Sequence, residues 1–292
     1  MKKKLLLILT ILFLCINMTG CFEKDHLKNA KVTTTVYPIE YLIKRLMAGN
    51  EIKVTSIYPN GTNSIDNFEL TAKQIKNYSK TTDIFVYNGL SQEKEIARSL
   101  INKNKRIQIV DVSYGIKSTT SNEELWLSPN NYLMLATTIK EDLKELSQSK
   151  YAAADIEKNF RQLEEDISIL DAKLKNIADV AVANGKGEIV IGDNMFSFLD
   201  SYGFTTISIE DESNITNTIK SKFKNKEYKF ILVPDTKEIP DAIKDLRDNY
   251  NAEIVIVNTM LTLTDDERTN NDTYLTISND FINTLQNYTL SK

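Results

Sequence analysis

The residue types that most often carry enzyme chemistry are nearly missing from this chain. It contains one histidine, His26, and two cysteines, Cys15 and Cys21, all close to the amino terminus. No G-x-S-x-G, Gly-rich phosphate loop, C-x-x-C or H-E-x-x-H motif occurs. Base, nucleophile and soft-metal roles elsewhere would therefore fall to carboxylates, lysine, tyrosine, serine and threonine. This argues against an enzyme, and an exported hydrolase is only a remote alternative.

The first twenty residues have the layout of a bacterial export signal. Lys2, Lys3 and Lys4 precede an apolar run over residues 5–16, and small residues follow. The run is shorter than the roughly 20 apolar residues that a membrane-spanning helix needs. We therefore predict a signal peptide over residues 1–20. Cys15 would be removed together with it.

Cys21 is the candidate for covalent modification. The sequence Met-Thr-Gly-Cys over residues 18–21 resembles the lipobox of bacterial lipoproteins, with Met18 where leucine is usual. The resemblance implies that Cys21 carries a diacylglyceryl group and is the first residue of the exported chain. An uncleaved anchor helix is the alternative. We rank it lower because Glu23, Lys24 and Asp25 end the apolar stretch.

Charge and length limit the remaining possibilities. Lysine and arginine number 36 and aspartate and glutamate 40, a net charge of −4, so a basic nucleic-acid-binding face is not expected. With Cys21 acylated, no thiol remains for a disulfide, and the fold must rest on its core. About 270 exported residues are enough for two modest domains.

Strand-like and helical patterns alternate from Lys31 onward. Predicted strands cover residues 32–36, 52–58, 83–87, 107–112, 188–191, 205–209, 230–233 and 253–257. Predicted helices begin at Pro38 and cover residues 71–78, 92–101, 130–146, 195–202, 215–223, 239–250 and 273–290. This alternation is typical of parallel sheets with helices on their faces.

A long helix is predicted over residues 151–183, about 45–50 Å at 1.5 Å per residue. It is longer than one small domain is wide, so we expect it to join two lobes. A coiled-coil arm for self-association is the weaker alternative, because strands resume directly afterwards, and we expect a monomer. The predicted fold is α/β, with two Rossmann-like lobes joined by one long rigid backbone helix. We predict a tether (21–30), an N-terminal lobe (31–146), the linking helix (147–185) and a C-terminal lobe (186–292).

Eight short stretches, in order, resemble the substrate-binding lipoproteins of zinc and manganese ABC transporters, the TroA-like proteins. They are VTTTVYP (32–38), TSIYPNG (55–61), FELTAK (68–73), DIFVYNGL (83–90), LWLSP (125–129), FSFLDSYG (196–203), LTLTDDE (261–267) and YL (274–275). The resemblance implies the same two-lobed fold, capture of a divalent cation between the lobes, and delivery to an ABC permease. It also implies a lipid-anchored protein on the extracytoplasmic face of the cell membrane.

The family holds its metal with histidines plus Glu or Asp, and this chain departs from that pattern. The resemblance places Asp66, Glu124 and Asp193 at three ligand positions and Asn258 at the fourth, with Thr259 as the alternative to Asn258. Oxygen ligands favour hard ions such as Mn²⁺, Ca²⁺ or Mg²⁺ over Zn²⁺. Zn²⁺ remains a candidate because the resemblance is to zinc and manganese transporters.

Two alternatives to metal capture stay open. The four residues could be solvated loop side chains in a chain that is 26% charged. The chain could also be a surface adhesion lipoprotein that keeps the scaffold without binding or transporting metal, which the missing histidines would explain.

Overall fold

The structure, a computed structural model, describes residues 26–65, 68–116 and 121–290. The predicted signal peptide, Cys21 and Asp66 lie outside the described residues. The strands are β1 (Lys31–Thr34), β2 (Lys53–Ser56), β3 (Ile84–Tyr87), β4 (Gln108–Asp111), β5 (Glu188–Ile191), β6 (Thr205–Ser208), β7 (Phe230–Pro234) and β8 (Glu253–Val257). They form two four-stranded sheets, ordered β2-β1-β3-β4 and β6-β5-β7-β8, and every pairing is parallel.

Ten α-helices lie in the described part of the chain. They are α1 (Tyr37–Leu46), α2 (Ala72–Thr81), α3 (Glu93–Lys103), α4 (Glu124–Leu127), α5 (Pro129–Leu146), α6 (Lys150–Ala183), α7 (Asn217–Lys224), α8 (Asp241–Tyr250), α9 (Asp265–Thr269) and α10 (Tyr274–Leu290). The predicted helix over residues 195–202 is instead a 3₁₀ segment, Asn194–Tyr202, which ends at Gly203 with a φ of 105°. Positive φ suits glycine because it has no Cβ.

The long helix α6 forms as its apolar spacing predicts. Its 34 residues correspond to about 51 Å. Apolar residues three or four apart face the core, and the Ser149 hydroxyl caps the first turn by accepting from the Ala152 N–H, 3.2 Å away. The buried side chains are Ile156, Phe160, Leu163, Ile167, Leu170, Leu174, Ile177, Ala178 and Ala181. The predicted α/β fold, two parallel sheets joined by one long helix, is confirmed.

The carboxyl ends of the two sheets face each other. Backbone hydrogen bonds join the segments that follow β1 and β2 to the segment that follows β8: the Tyr37 N–H donates to the Leu261 carbonyl and the Gly61 N–H to the Leu263 carbonyl, both at 3.0 Å. One continuous hydrophobic core, drawn from both lobes and α6, lies beneath these contacts. The long helix is therefore not the only substantial connection between the lobes, in contrast to the picture drawn from sequence pattern.

Two local features differ from the sequence patterns. Leu27 and Ala30, in the predicted tether, are buried, and the His26 N–H donates to the Leu146 carbonyl at 3.2 Å, so the end of that segment packs on the N-terminal lobe. A short helix that the pattern did not predict, α9, begins with the acidic run at Asp265. Thr264 and Glu267 form its capping box.

Within the described ranges, no helix is both long enough and apolar enough to span a bilayer.

Candidate functional site

The inner edge of the C-terminal sheet collects polar side chains, one group after each strand. Asp193 follows β5, Glu210 follows β6, Asp235 and Lys237 follow β7, and Asn258 follows β8. In open parallel sheets, ligands bind outside the carboxyl ends of the strands, where the strand order reverses. Here that point lies between β5 and β7, which places Asp193 and the β7 loop at the centre of the candidate site.

Asp193 is held in place by its backbone surroundings. It precedes the 3₁₀ segment, and its Oδ1 accepts a 2.9 Å hydrogen bond from the Met195 N–H. Gly192, just before it, is closely packed, because a Cβ on Gly192 would lie 2.9 Å from Cδ1 of Ile243. The Asp193 side chain is only 4% exposed. A carboxylate this deeply buried needs a partner of opposite charge.

That partner is Lys237. Its ammonium donates to Oδ2 of Asp193 and lies 3.7 Å from Oε1 of Glu210. Burial alone would lower the pKa of the Lys237 ammonium. The hydrogen bond and charge of Asp193, with the charges of Glu210 and Glu123, outweigh burial and raise that pKa. Lys237 is therefore a cation among carboxylates: it contacts Asp193, lies near Glu210 and is within range of the charge of Glu123 in the other lobe.

The N-terminal lobe supplies Glu123 and Glu124. Glu124 is the first residue of α4 and half-buried, and its backbone N–H donates to the Ser121 hydroxyl at 3.3 Å. Two residues further along the same short helix, the Trp126 side chain is buried and its indole N–H donates to the Thr259 carbonyl at 2.8 Å. The segment that carries both glutamates is thus fastened to the opposite lobe.

Asn258 and Thr259 are engaged in hydrogen bonds next to the site. The Asn258 Oδ1 accepts from the Met260 N–H at 2.8 Å, and its Nδ2 donates to Glu267. The Thr259 hydroxyl is buried and donates to Oδ1 of Asp235 at 2.7 Å. An amide oxygen can accept two hydrogen bonds, so Asn258 keeps one acceptor position for a further partner.

The two predicted ligands of the C-terminal lobe have other side chains as their partners. Asp193 lies with Lys237 and Glu210, and Asn258 pairs with Glu267 on its own side. Across the described residues, no three or more His, Cys, Asp or Glu side chains are arranged to hold a metal ion. Asp66 lies outside those residues.

Sequence reasoning missed Lys237, Glu210 and Glu123. The sequence contained a signal for two of them: Glu210 and Lys237 come within three residues of a strand end, at the sheet edge where ligands bind. Glu123 stands next to the predicted ligand Glu124. What the pattern did not contain was the pairing of Lys237 with Asp193, which are 44 residues apart.

A second buried carboxyl lies in the N-terminal lobe. Glu93 is at the start of α3; its Oε2 accepts from the Asn88 N–H at 2.9 Å and its Oε1 from the Tyr58 hydroxyl at 3.2 Å. Burial raises the pKa of Glu93 to about 7, and the hydrogen bond from Asn88 opposes that rise in part. Its hydrogen-bond partners in the described part of the chain are neutral groups, in contrast to the lysine that Asp193 contacts.

Two parallel sheets with facing carboxyl ends, one long linking helix and a charged site between them define a two-lobed binding protein of the rigid-helix type. The chain belongs to the family "zinc-uptake complex component A, periplasmic", whose family model matches residues 32–288. The resemblance noted from the sequence is thereby confirmed. Members of this family are transport and binding proteins and not enzymes, as the sequence predicted.

Solved structures agree with the family assignment at the level of fold. The metal-dependent lipoprotein YcdH of Bacillus subtilis is 20% identical, with a TM-score of 0.75 over 89% of this chain and 99% of that one. The periplasmic zinc-binding protein TroA of Treponema pallidum is 17% identical, with a TM-score of 0.67 and the same coverage. The laminin-binding protein Lmb of Streptococcus agalactiae, described as a bifunctional adhesin and metal transporter, is 18% identical with a TM-score of 0.69 over 89% and 99% of the two chains. No curated protein sequence matches significantly.

Proposed function

We propose that this protein is a lipid-anchored, extracytoplasmic substrate-binding protein of an ABC transporter, and that it captures a divalent cation between its lobes. The observation that carries the proposal is the buried Asp193 carboxylate at the strand-order reversal of the C-terminal sheet. Its partner Lys237 is close enough to Glu123 of the other lobe for that charge to raise the Lys237 pKa, and the chain belongs to a zinc-uptake family. A buried anion at this position is what capture of a small cation requires.

The ligands proposed are Asp193 and Asn258 from the C-terminal lobe and Glu124 from the N-terminal lobe. Asp66, the fourth, lies outside the described residues and stays a prediction. The boundaries proposed are a signal (1–20), a tether (21–30) acylated at Cys21, two lobes (31–146 and 186–292) and a linking segment (147–185). The partner is the permease of the same uptake system, and the chain acts as a monomer.

The cation follows from the donor atoms. Carboxylate and amide oxygens suit Mn²⁺ or Ca²⁺ better than Zn²⁺, which prefers imidazole and thiolate. The relatives of known structure include zinc-binding proteins, so Zn²⁺ is the competing candidate. We therefore propose a divalent cation with a preference shifted toward hard ions.

Isothermal titration of the purified chain against Mn²⁺, Zn²⁺, Ca²⁺ and Mg²⁺ tests this function. We expect binding of at least one ion, abolished or strongly weakened by Asp193→Asn. Asp200→Asn is the matched control, because Asp200 lies in the 3₁₀ segment that Asp193 precedes but accepts from the Thr206 N–H at 2.7 Å on the exposed side. No heat of binding for any of the four ions would refute metal capture.

An adhesion lipoprotein on the same scaffold is the second candidate function. It is favoured by Lys237, whose ammonium already neutralises Asp193, and by the description of Lmb as both adhesin and metal transporter. The genes beside this one separate the two functions. Adjacent permease and ATPase genes support transport, whereas an isolated gene supports adhesion.

A further inference from the structure

Lys237 occupies the cation position of the candidate site. Its ammonium contacts the one Asp193 oxygen that is not already hydrogen-bonded to backbone, and it lies 3.7 Å from Glu210. A divalent ion coordinated by the same oxygen would lie about 2.0–2.6 Å from it. The ammonium and the ion would then be in contact as like charges, so both cannot occupy the site.

The lysine is also free to leave. Its side chain is 56% exposed, whereas Asp193 is 4% exposed, so the ammonium can rotate into water while the carboxylate cannot move. An ammonium has three donors and no acceptor, so Lys237 cannot become a ligand while it is protonated. The contact is therefore an exchangeable one, between a fixed anion and a tethered cation.

We propose that Lys237 is an affinity-determining residue of the cation site, a tethered competitor that must leave Asp193 before a divalent ion binds. The inference rests on the proposed function. The competition by Lys237 makes the affinity of the wild-type protein for a divalent ion lower than the carboxylates would give without the lysine. Only ions that bind Asp193 more strongly than the ammonium does will displace the ammonium, so weakly binding ions are excluded.

Removal of the competitor should strengthen metal binding. We expect Lys237→Met to bind Mn²⁺ about 10- to 100-fold more tightly than wild type, because the ion no longer has to break one charge-assisted hydrogen bond to Asp193. Lys237→Arg, which keeps the charge, should stay close to wild type. The matched control is Lys244→Met, because Lys244 pairs with the exposed Asp241 on α8, away from the site.

Titration of the full chain and its variants with MnCl₂ separates this inference from the proposed function. Tighter binding by Lys237→Met, with no gain in the Arg and Lys244 variants, supports the inference. Equal binding by wild type and Lys237→Met overturns it and leaves metal capture standing. Binding by Lys237→Met alone supports the inference and refutes metal capture by the native chain. No binding by either overturns both.

A labelling experiment on the unaltered protein gives a second readout, which holds even where Lys237→Met does not fold. Reductive methylation followed by mass spectrometry measures how accessible each lysine amine is. Lys237 should react more slowly than Lys244 in metal-free protein and faster once MnCl₂ is added. An unchanged Lys237 rate at saturating Mn²⁺ overturns the inference, because a purely structural ion pair would not respond to the metal.

Discussion

Arg268 in α9 of the C-terminal lobe donates two hydrogen bonds, each 3.0 Å, to the carboxylate of Glu40 in α1 of the N-terminal lobe. The Glu40 side chain is 5% exposed, and Lys44 contacts the same carboxylate. Burial would raise the pKa of Glu40, but the hydrogen bonds from Arg268 and Lys44 lower it overall. Arg268 also donates to the Asn60 side chain at 2.7 Å. This bidentate pair fixes the two lobes to each other beside the site.

Loss of this pair should destabilise the protein markedly. Arg268→Ala leaves the Glu40 carboxylate buried with only Lys44 as its partner. We expect a loss of about 2–4 kcal/mol in the free energy of unfolding, slightly less than for a fully buried pair. Urea unfolding followed by circular dichroism measures it. Arg247→Ala is the control, because Arg247 pairs with Asp248 on an exposed face, where water screens the pair, and the variant should change stability little. Equal effects of the two variants would contradict the role assigned to Arg268.

The buried Glu93 makes a prediction about pH. Its pKa is about 7 in the folded chain against 4.5 as the reference value, so the folded state binds its proton more tightly than the unfolded state. The contribution of Glu93 to the free energy of unfolding should therefore be largest below about pH 4.5. It should fall as the pH rises to 7. The loss is about 3 kcal/mol for a shift of this size.

Urea unfolding at pH 5, 6, 7 and 8 tests this contribution. Glu93→Gln removes the titration and should flatten the pH dependence between pH 5 and 7 relative to wild type. Glu95→Gln, on the same helix but exposed and paired with Arg98, should leave the wild-type slope intact. A wild-type slope retained in Glu93→Gln would show that the carboxyl does not titrate in this range.

The sequence predicted the fold much better than the site. Helix α6 was predictable because apolar residues recur along it every three or four positions, and the structure buries the face that they form. Strand positions followed from runs such as Ile84–Tyr87, where β-rich residues are bounded by polar ones. Periodicity reports which face of an element is buried, and that is a local property of the chain.

The site depends on contacts that periodicity does not encode. The pairing of Lys237 with Asp193 joins loops after two different strands, and the pairing of Glu40 with Arg268 spans 228 residues. In the sequence, Lys237 is one more charged residue in a loop, and nothing local shows that it faces a buried carboxylate. Family resemblance supplied the positions of Asp193 and Asn258, but it carried no information on a lysine that the family pattern does not include.

Rigid lobes predict little change in dimensions when a ligand binds. Wide hinge closure needs loop residues that can absorb large φ/ψ changes, and α6 supplies none in its interior. The Glu40–Arg268 pair and the Trp126–Thr259 hydrogen bond add further restraints between the lobes. Small-angle X-ray scattering should give the same radius of gyration with and without saturating metal. A fall of the size that accompanies wide domain closure would refute the rigid connection.

Metal preference should follow the donor atoms. Histidine at positions 66 and 124, in the double variant Asp66→His with Glu124→His, should move preference toward Zn²⁺, because imidazole suits borderline metals. Affinity for Ca²⁺ and Mn²⁺ should fall, since two negative charges are removed. Competition titrations of Zn²⁺ against Mn²⁺ measure the shift. Unchanged selectivity would mean that neither residue coordinates the ion.

The central claim is that a divalent cation binds between the lobes at Asp193, in place of the Lys237 ammonium. Anomalous X-ray diffraction from crystals grown with Mn²⁺ tests it most directly, because it locates the ion without assuming its ligands. We predict a single strong peak about 2.0–2.6 Å from a carboxylate oxygen of Asp193, with Lys237 turned away into solvent. No peak near Asp193, with Lys237 still paired to it, would contradict the claim.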